Sequence, residues 1–157
     1  MLFRSDGALQ RDYWMSASRR RDQLKSPQEV GRRAAERVLR RVGARKAKTC
    51  EIPVIFEGRT ARSLVGHMLE AVSGDSVFRK RSFLADQLGQ PIAAAGVTIA
   101  DDARLPWGLG SSPFDDEGIA TQRTPVVVDG VLQNFLHSAY SARRLNARPT
   151  GNSSRAA

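Results

Sequence analysis

The stretch PVVVDGVLQNFL, residues 125–136, constrains the fold of this chain more than any other. Two apolar runs flank Asp129-Gly130, and a two-residue connection of that kind takes positive φ, which folds the runs back on each other as antiparallel strands. A β-hairpin is expected. Proline gives no N–H to a ladder, so Pro125 is expected at the start of a strand or on a sheet edge. SAYSARRL, 138–145, reads as a short helix, and RPTGNSSRAA offers no recognisable closing element. Upstream, VTIADD, 97–102, reads as a buried strand and SFLADQLG, 82–89, as a short helical piece.

The clearest helix is SPQEVGRRAAERVLRRVG, 26–43. Ser26 suits the N-cap, Pro27 the first helical position, and Glu29 the far end of a capping box. At 100° per residue, Val30, Gly31, Ala34, Ala35, Val38 and Val42 share a small-residue face, and Arg32, Arg33, Glu36, Arg37 and Arg40 lie opposite. Gly43 is the expected C-cap. RDYWMSASRRRDQL before it suits a strand and a basic turn, and EIPVIFEG, 51–58, a strand with Ile52, Val54 and Phe56 on one face. Strand, helix, strand is an α/β layout. In ARSLVGHMLEAVSG, 61–74, Leu64, Val65, Met68, Leu69 and Val72 form an apolar stripe, with Thr60 as cap and Gly74 as terminator. The chain is thus expected to be α+β. Residues 1–57 form the end of an α/β domain, and 58–157 a mixed helix and antiparallel-strand domain, incomplete at its C-terminus.

The net charge of +9 is lopsided: residues 1–50 hold fourteen Lys and Arg against five Asp and Glu, whereas 51–157 balance at eleven each. Such asymmetry marks either a surface for polyanions or one solvated helix face. No RNP-like strand, zinc finger or recognition-helix pair accompanies Arg19, Arg20, Arg21, Arg32, Arg33, Arg37 and Arg40, so the solvated face is the stronger reading and no nucleic-acid partner is expected. No apolar run nears the roughly 20 residues that span a bilayer, and the first residues lack the pattern of a secretory signal. With Cys50 as its only cysteine, the chain suits a reducing cytoplasm.

His67 raises the question of metal chemistry. Histidines on one helix share an ion when they lie near i, i+4 or i, i+5, and His67 has no such partner. His137 is the only other histidine. A site joining His67, His137 and Cys50 is compatible with the sequence, but lone histidines are more often simply hydrogen-bonded. Asp101, Asp102 and the run DDEG, 115–118, carry oxygen ligands without EF-hand spacing and read as solvated loop. GLGSS, 108–112, is a turn, and no nucleophile elbow or phosphate-binding loop occurs.

The blocks RDYW, SPQEVGRRAAERVLRRVGARK, SFLADQLG, LPWGLGSSPFDDEGIATQRT, VVVDGVLQNFLHSAYSARRL and PTGN closely resemble the TldD/PmbA metalloprotease family, in particular its PmbA (TldE) branch. The resemblance covers almost all of the chain and places it at the end of the family's central domain and the start of its C-terminal domain. Catalytic TldD-type members carry HExxxH on the matching helix. Here the first histidine position falls at Arg62, the glutamate at Ser63, and only the second histidine is kept, as His67; the family's third ligand, a cysteine further on, is not matched by Cys50. The resemblance implies a catalytically silent chain with neither catalytic nor metal-binding residues of its own. It also implies a cytoplasmic complex whose TldD-like catalytic subunit holds zinc, and unfolded peptides as substrates. Two alternatives stay open: a metallopeptidase acting alone through a divergent site at His67, and a nucleic-acid-binding module using the basic N-terminal third.

Overall fold

The capping signal at Ser26 is used. In the computed structural model, which describes residues 2–5 and 8–154, Ser26 Oγ accepts from the Glu29 N–H at 3.2 Å and Pro27 opens helix α1, Pro27–Leu39. The Glu29 carboxylate is turned to the helix surface, where it pairs with Arg33 at 2.9 Å and reaches Lys25 at 4.0 Å. Ala34 and Val38 are the buried positions of the small-residue face. The helix stops short of the expected Gly43, because Arg41 and Val42 donate to carbonyls three residues back and tighten the chain out of α geometry. Gly43 sits in the turn that follows, at φ +72°.

The chain falls into two units, Met1–Val54 and Ile55–Ala157. In the first, strands β1, Leu2–Ser5, and β2, Ala8–Arg11, pair antiparallel with Phe3 opposite Gln10. The strand expected from Arg11 onward ends where it was to begin, and a 3₁₀ turn occupies Arg21–Gln23. Asp12 joins this hairpin's end to α1: its carboxylate accepts from Arg37 Nε at 3.2 Å and lies 3.6 Å from Arg41 Nε. The Tyr13 N–H, then the two guanidinium groups, hold the Asp12 carboxyl below its ordinary range. Arg33 and Arg37 also stack over Trp14, at 5.1 and 5.7 Å from the ring centroid. With Arg32 paired to Glu36, much of the α1 charge has local partners.

The second strand of the expected strand–helix–strand does not form. Residues 44–57 take no regular element, and Ile52, Val54, Ile55 and Phe56 are exposed, Ile55 at 98%. A strand is a paired object, and among the described residues none runs alongside this one to complete its ladder.

The second unit begins with α2, Gly58–Ala71, and α3, Gly74–Phe78. Glu57, not Thr60, is the N-cap of α2, through its carbonyl, and Gly74 opens α3 where it was expected to close α2. Strands β3, Ile99–Asp102, β4, Arg123–Val128, and β5, Val131–Leu132, form an antiparallel sheet in the order β3-β4-β5, and α4, Ala139–Arg144, follows. Together these make an α+β fold. The predicted hairpin is β4–β5, turning through Asp129 at φ +49° and Gly130 at φ +81°. Pro125, however, lies inside the central strand, opposite Ala100, where the β3–β4 register slips; the irregularity absorbs the missing N–H. β3 is an edge strand and only partly buried, not the buried strand expected.

Residues 82–89 form turns and no helix: Leu84 alone is buried, and Gly89 leaves at φ +78° to donate to the Leu132 carbonyl at 2.8 Å. Val72, Leu84, Val126, Val127 and Leu132, with Ala71, make the core. Burying each larger side chain contributes about 1.5–3 kcal/mol. The tail, expected to lack closure, is tied in. Thr150 donates from its N–H to the His137 carbonyl at 2.9 Å, and buried Gly151 takes φ +70° against the Ala120 carbonyl. Among the described residues, no helix is long and apolar enough to cross a membrane.

Candidate functional site

Helix α2 carries the three positions to which the sequence directs attention. Arg62, Ser63 and His67 are all exposed on its first three turns. Ser63 Oγ donates to the Thr60 carbonyl at 2.6 Å, the back-bond a serine makes within a helix. The apolar stripe is half used: Val72 is fully buried and Met68 and Leu69 pack against the core, whereas Leu64 is 48% exposed and Val65 is exposed too. The far end of α2 is anchored, since the Leu136 N–H donates to the Val72 carbonyl at 3.0 Å and the Gly74 N–H to the Leu136 carbonyl at 2.7 Å.

His137 is placed by these same bonds. It is buried between α3 and α4, its Nδ1 3.4 Å from Ser141 Oγ and its ring edge-on to Phe135. Its N–H donates to Thr150 Oγ1 at 2.6 Å. Burial pushes the imidazole pKa below its ordinary value, which favours the uncharged ring. Cys50 is exposed. Among the described residues no three His, Cys, Asp or Glu side chains group as metal ligands.

The acidic residues expected to lie in a solvated loop include one that is built in. Asp115 is buried, and its carboxylate accepts N–H bonds from Glu117 at 3.0 Å, Ile119 at 2.9 Å and Ser153 at 3.1 Å. Burial alone would raise its pKa; the three N–H groups outweigh it and lower it. Asp101, facing Asn152 at 3.4 Å, goes the other way, raised by burial more than the amide lowers it. Asp115 therefore closes the tail onto the 115–119 turn. The Gly and Asn of PTGN signalled such a tight connection, and the sequence reading passed over it.

Two clefts open on this unit. One, of about 440 Å³, runs past β4 and includes Arg123, Thr124, Gln133, Phe135, Arg148 and Thr150 in its wall. The other, of about 500 Å³, is lined by hydroxyls, among them Ser73, Ser138 and Tyr140, with Asp75 and Glu117. Glu117 is engaged there as an acceptor for the Ala139 N–H at 2.8 Å. Of the first cleft's residues the sequence singled out only Pro125, for its place in a strand, and His137.

Residues 49–157 match the PmbA/TldA metallopeptidase C-terminal domain. The chain belongs to the PmbA/TldD metallopeptidase family. It is 40% identical over 151 residues to metalloprotease PmbA of Escherichia coli O157:H7, a match covering 96% of this chain and 34% of that protein. Among solved structures it superposes on a Bacteroides thetaiotaomicron protein described as a proposed modulator of DNA gyrase, with a TM-score of 0.89 at 30% identity, over 97% of this chain and 35% of that one. TldE from Thermococcus kodakarensis gives a TM-score of 0.83 at 26% identity, over 99% of this chain and 35% of that one. The chain thus spans about a third of the length of these PmbA/TldD relatives.

The zinc that a metallopeptidase family implies does not fit α2. Arg62 offers a fixed cation and no lone pair, the Ser63 hydroxyl is committed to Thr60, and His67 is a single ligand where about three are needed.

Proposed function

We propose that this chain acts as the PmbA (TldE) type of subunit, a non-catalytic partner in a peptide-cleaving complex whose zinc is held by a TldD-like chain. The observation that carries this is the make-up of α2. A guanidinium at position 62 repels a divalent cation, and a serine bonded to its own helix at position 63 cannot activate water as a carboxylate base does. The helix is kept, with its far end locked into the core by Val72 and Leu136, while the chemistry is gone. Such a helix still shapes a wall. The partner, unfolded peptide substrates and a cytoplasmic setting follow from the family resemblance, and the match to TldE supports the same branch.

The test is co-elution on a sizing column with a TldD-like protein that carries HExxxH, using these 157 residues as they stand. Elution together, with zinc only in the partner, is expected. A folded chain that elutes alone with stoichiometric zinc, lost on His67→Ala, would instead favour a metallopeptidase acting alone.

A further inference from the structure

We infer that the cleft beside β4 is a binding site for a carboxylate carried by a peptide segment. Its lining includes Arg123 and Arg148 and no acidic residue, whereas that of the hydroxyl-lined cleft includes Asp75 and Glu117 and no cationic residue. Arg123 is loosely held, 3.9 Å from Asp102, and Arg148 is exposed. The lining also includes side-chain amides that hydrogen-bond. Gln122 and Gln133 are exposed there, and Asn134 spends its Nδ2 on the Pro125 carbonyl at 2.9 Å, leaving its oxygen to accept. Amides of this kind suit a peptide backbone, which presents donors and acceptors in turn.

A second observation points to the same place. Thr124 is 5% exposed, and its Oγ1 is the one buried side-chain polar atom among the described residues without a hydrogen-bond partner. A buried hydroxyl left unmatched is costly, and Thr124 is among the residues that line this cleft. Turned about its Cα–Cβ bond, that hydroxyl would meet an occupant of the cleft and gain the missing bond. Phe135 and Leu88 give the cleft an apolar flank. Guanidinium pairs bind carboxylate or phosphate; the amides and the apolar flank favour a carboxylate on a chain over a bare phosphate. The choice of a peptide as carrier rests on the function proposed above.

The test is fluorescence anisotropy of the 157-residue chain with two labelled, unstructured ten-residue peptides. One carries Asp, Glu and a free C-terminus; the other has the same sequence with Asn, Gln and a C-terminal amide. Selective binding of the acidic peptide is expected, weakened about tenfold by Arg148→Gln and about tenfold by Thr124→Val. Arg148 is exposed, so its variant folds and decides the matter if Thr124→Val does not. Equal binding of both peptides, no binding of either, or an unchanged Arg148→Gln overturns the inference. So does inorganic phosphate displacing the peptide at concentrations where acetate does not, which would make the cleft a phosphate site. Arginine-dependent peptide binding without co-elution with a TldD-like chain would sink the subunit proposal alone. Co-elution with no carboxylate dependence would sink this one alone.

Discussion

Gly74 is where the geometry makes its sharpest demand. A Cβ built there would lie 2.2 Å from His137 Nδ1, 2.6 Å from Ser141 Oγ and 3.0 Å from His137 Cε1, against 3.4 Å or more in ordinary contact. Nothing nearby gives easily. The Gly74 N–H is held by the Leu136 carbonyl at 2.7 Å, the next residue is His137, and the His137 backbone is bonded to Thr150 from both its N–H and its carbonyl. Gly74→Ala must therefore displace the buried imidazole or part α3 from the segment after β5. Overpacking of this kind costs about 1–3 kcal/mol, and with both neighbours pinned the upper half of that range is expected. For a chain of this size that is a fall of about 4–12 °C in Tm. Urea unfolding followed by far-UV circular dichroism gives the value, and a cycle with His137→Ala isolates its cause. His137→Ala alone leaves a void, but in its background Gly74→Ala should cost at least 1 kcal/mol less than in the parent, because the nearest obstacle is gone. A single mutant within 0.5 kcal/mol of the parent, or additive effects in the cycle, would refute the claim that glycine is required for the approach of His137.

Asp115→Ala strands three N–H groups at once and is expected to cost about 2–4 kcal/mol, read by the same unfolding assay. Because the folded pKa of Asp115 is lowered, its contribution is present above the unfolded value near 3.9 and is lost as pH falls through the folded one. His137 works at milder pH. Its folded pKa is lowered, so the unfolded chain takes up a proton first, and stability should fall as pH drops below about 6.5 and level off below the folded value. His137→Gln should flatten that part of the profile. Ser26→Ala removes the cap of α1 and is expected to cost about 1 kcal/mol, with faster amide exchange at Glu29 as the local signature. Restoring Arg62→His and Ser63→Glu together should yield no peptidase activity in this chain, measured with zinc and an unstructured peptide.

What was legible in the sequence is what short-range chemistry decides. Ser26-Pro27 starts a helix by giving a particular N–H a particular oxygen, and Asp129-Gly130 turns a hairpin because both residues tolerate positive φ. Both reappear in the structure at the stated residues. Where the reading failed, the deciding partner lay far away in sequence. EIPVIFEG has every intrinsic preference of a strand, yet pairing is not intrinsic, and among the described residues no neighbour completes it. Pro125 was placed by a rule about single strands, and the register slip at Ile99 and Ala100 that admits it belongs to two. SFLADQLG has helical residues, but buries only Leu84 and is bound at Gly89 to β5, so turns serve it better than a helix with little to bury.

The same distinction divides the site. That α2 would be a helix with Arg62, Ser63 and His67 on it follows from a local pattern, and the family resemblance supplied the reason to look there. That its last turn is fastened to Leu136, that Leu136 thereby sets His137, and that Thr150 bonds the same backbone are long-range facts with no local signature. They matter to function because they make α2, α3, the segment after β5 and the PTGN tail one connected support. His137, which the sequence offered as a spare metal ligand, is the piece around which that support closes, its ring buried against Gly74 and Ser141. On the subunit proposal, this fastening is what would hold α2 in place as a wall, with an arginine at position 62 and a back-bonded serine at position 63.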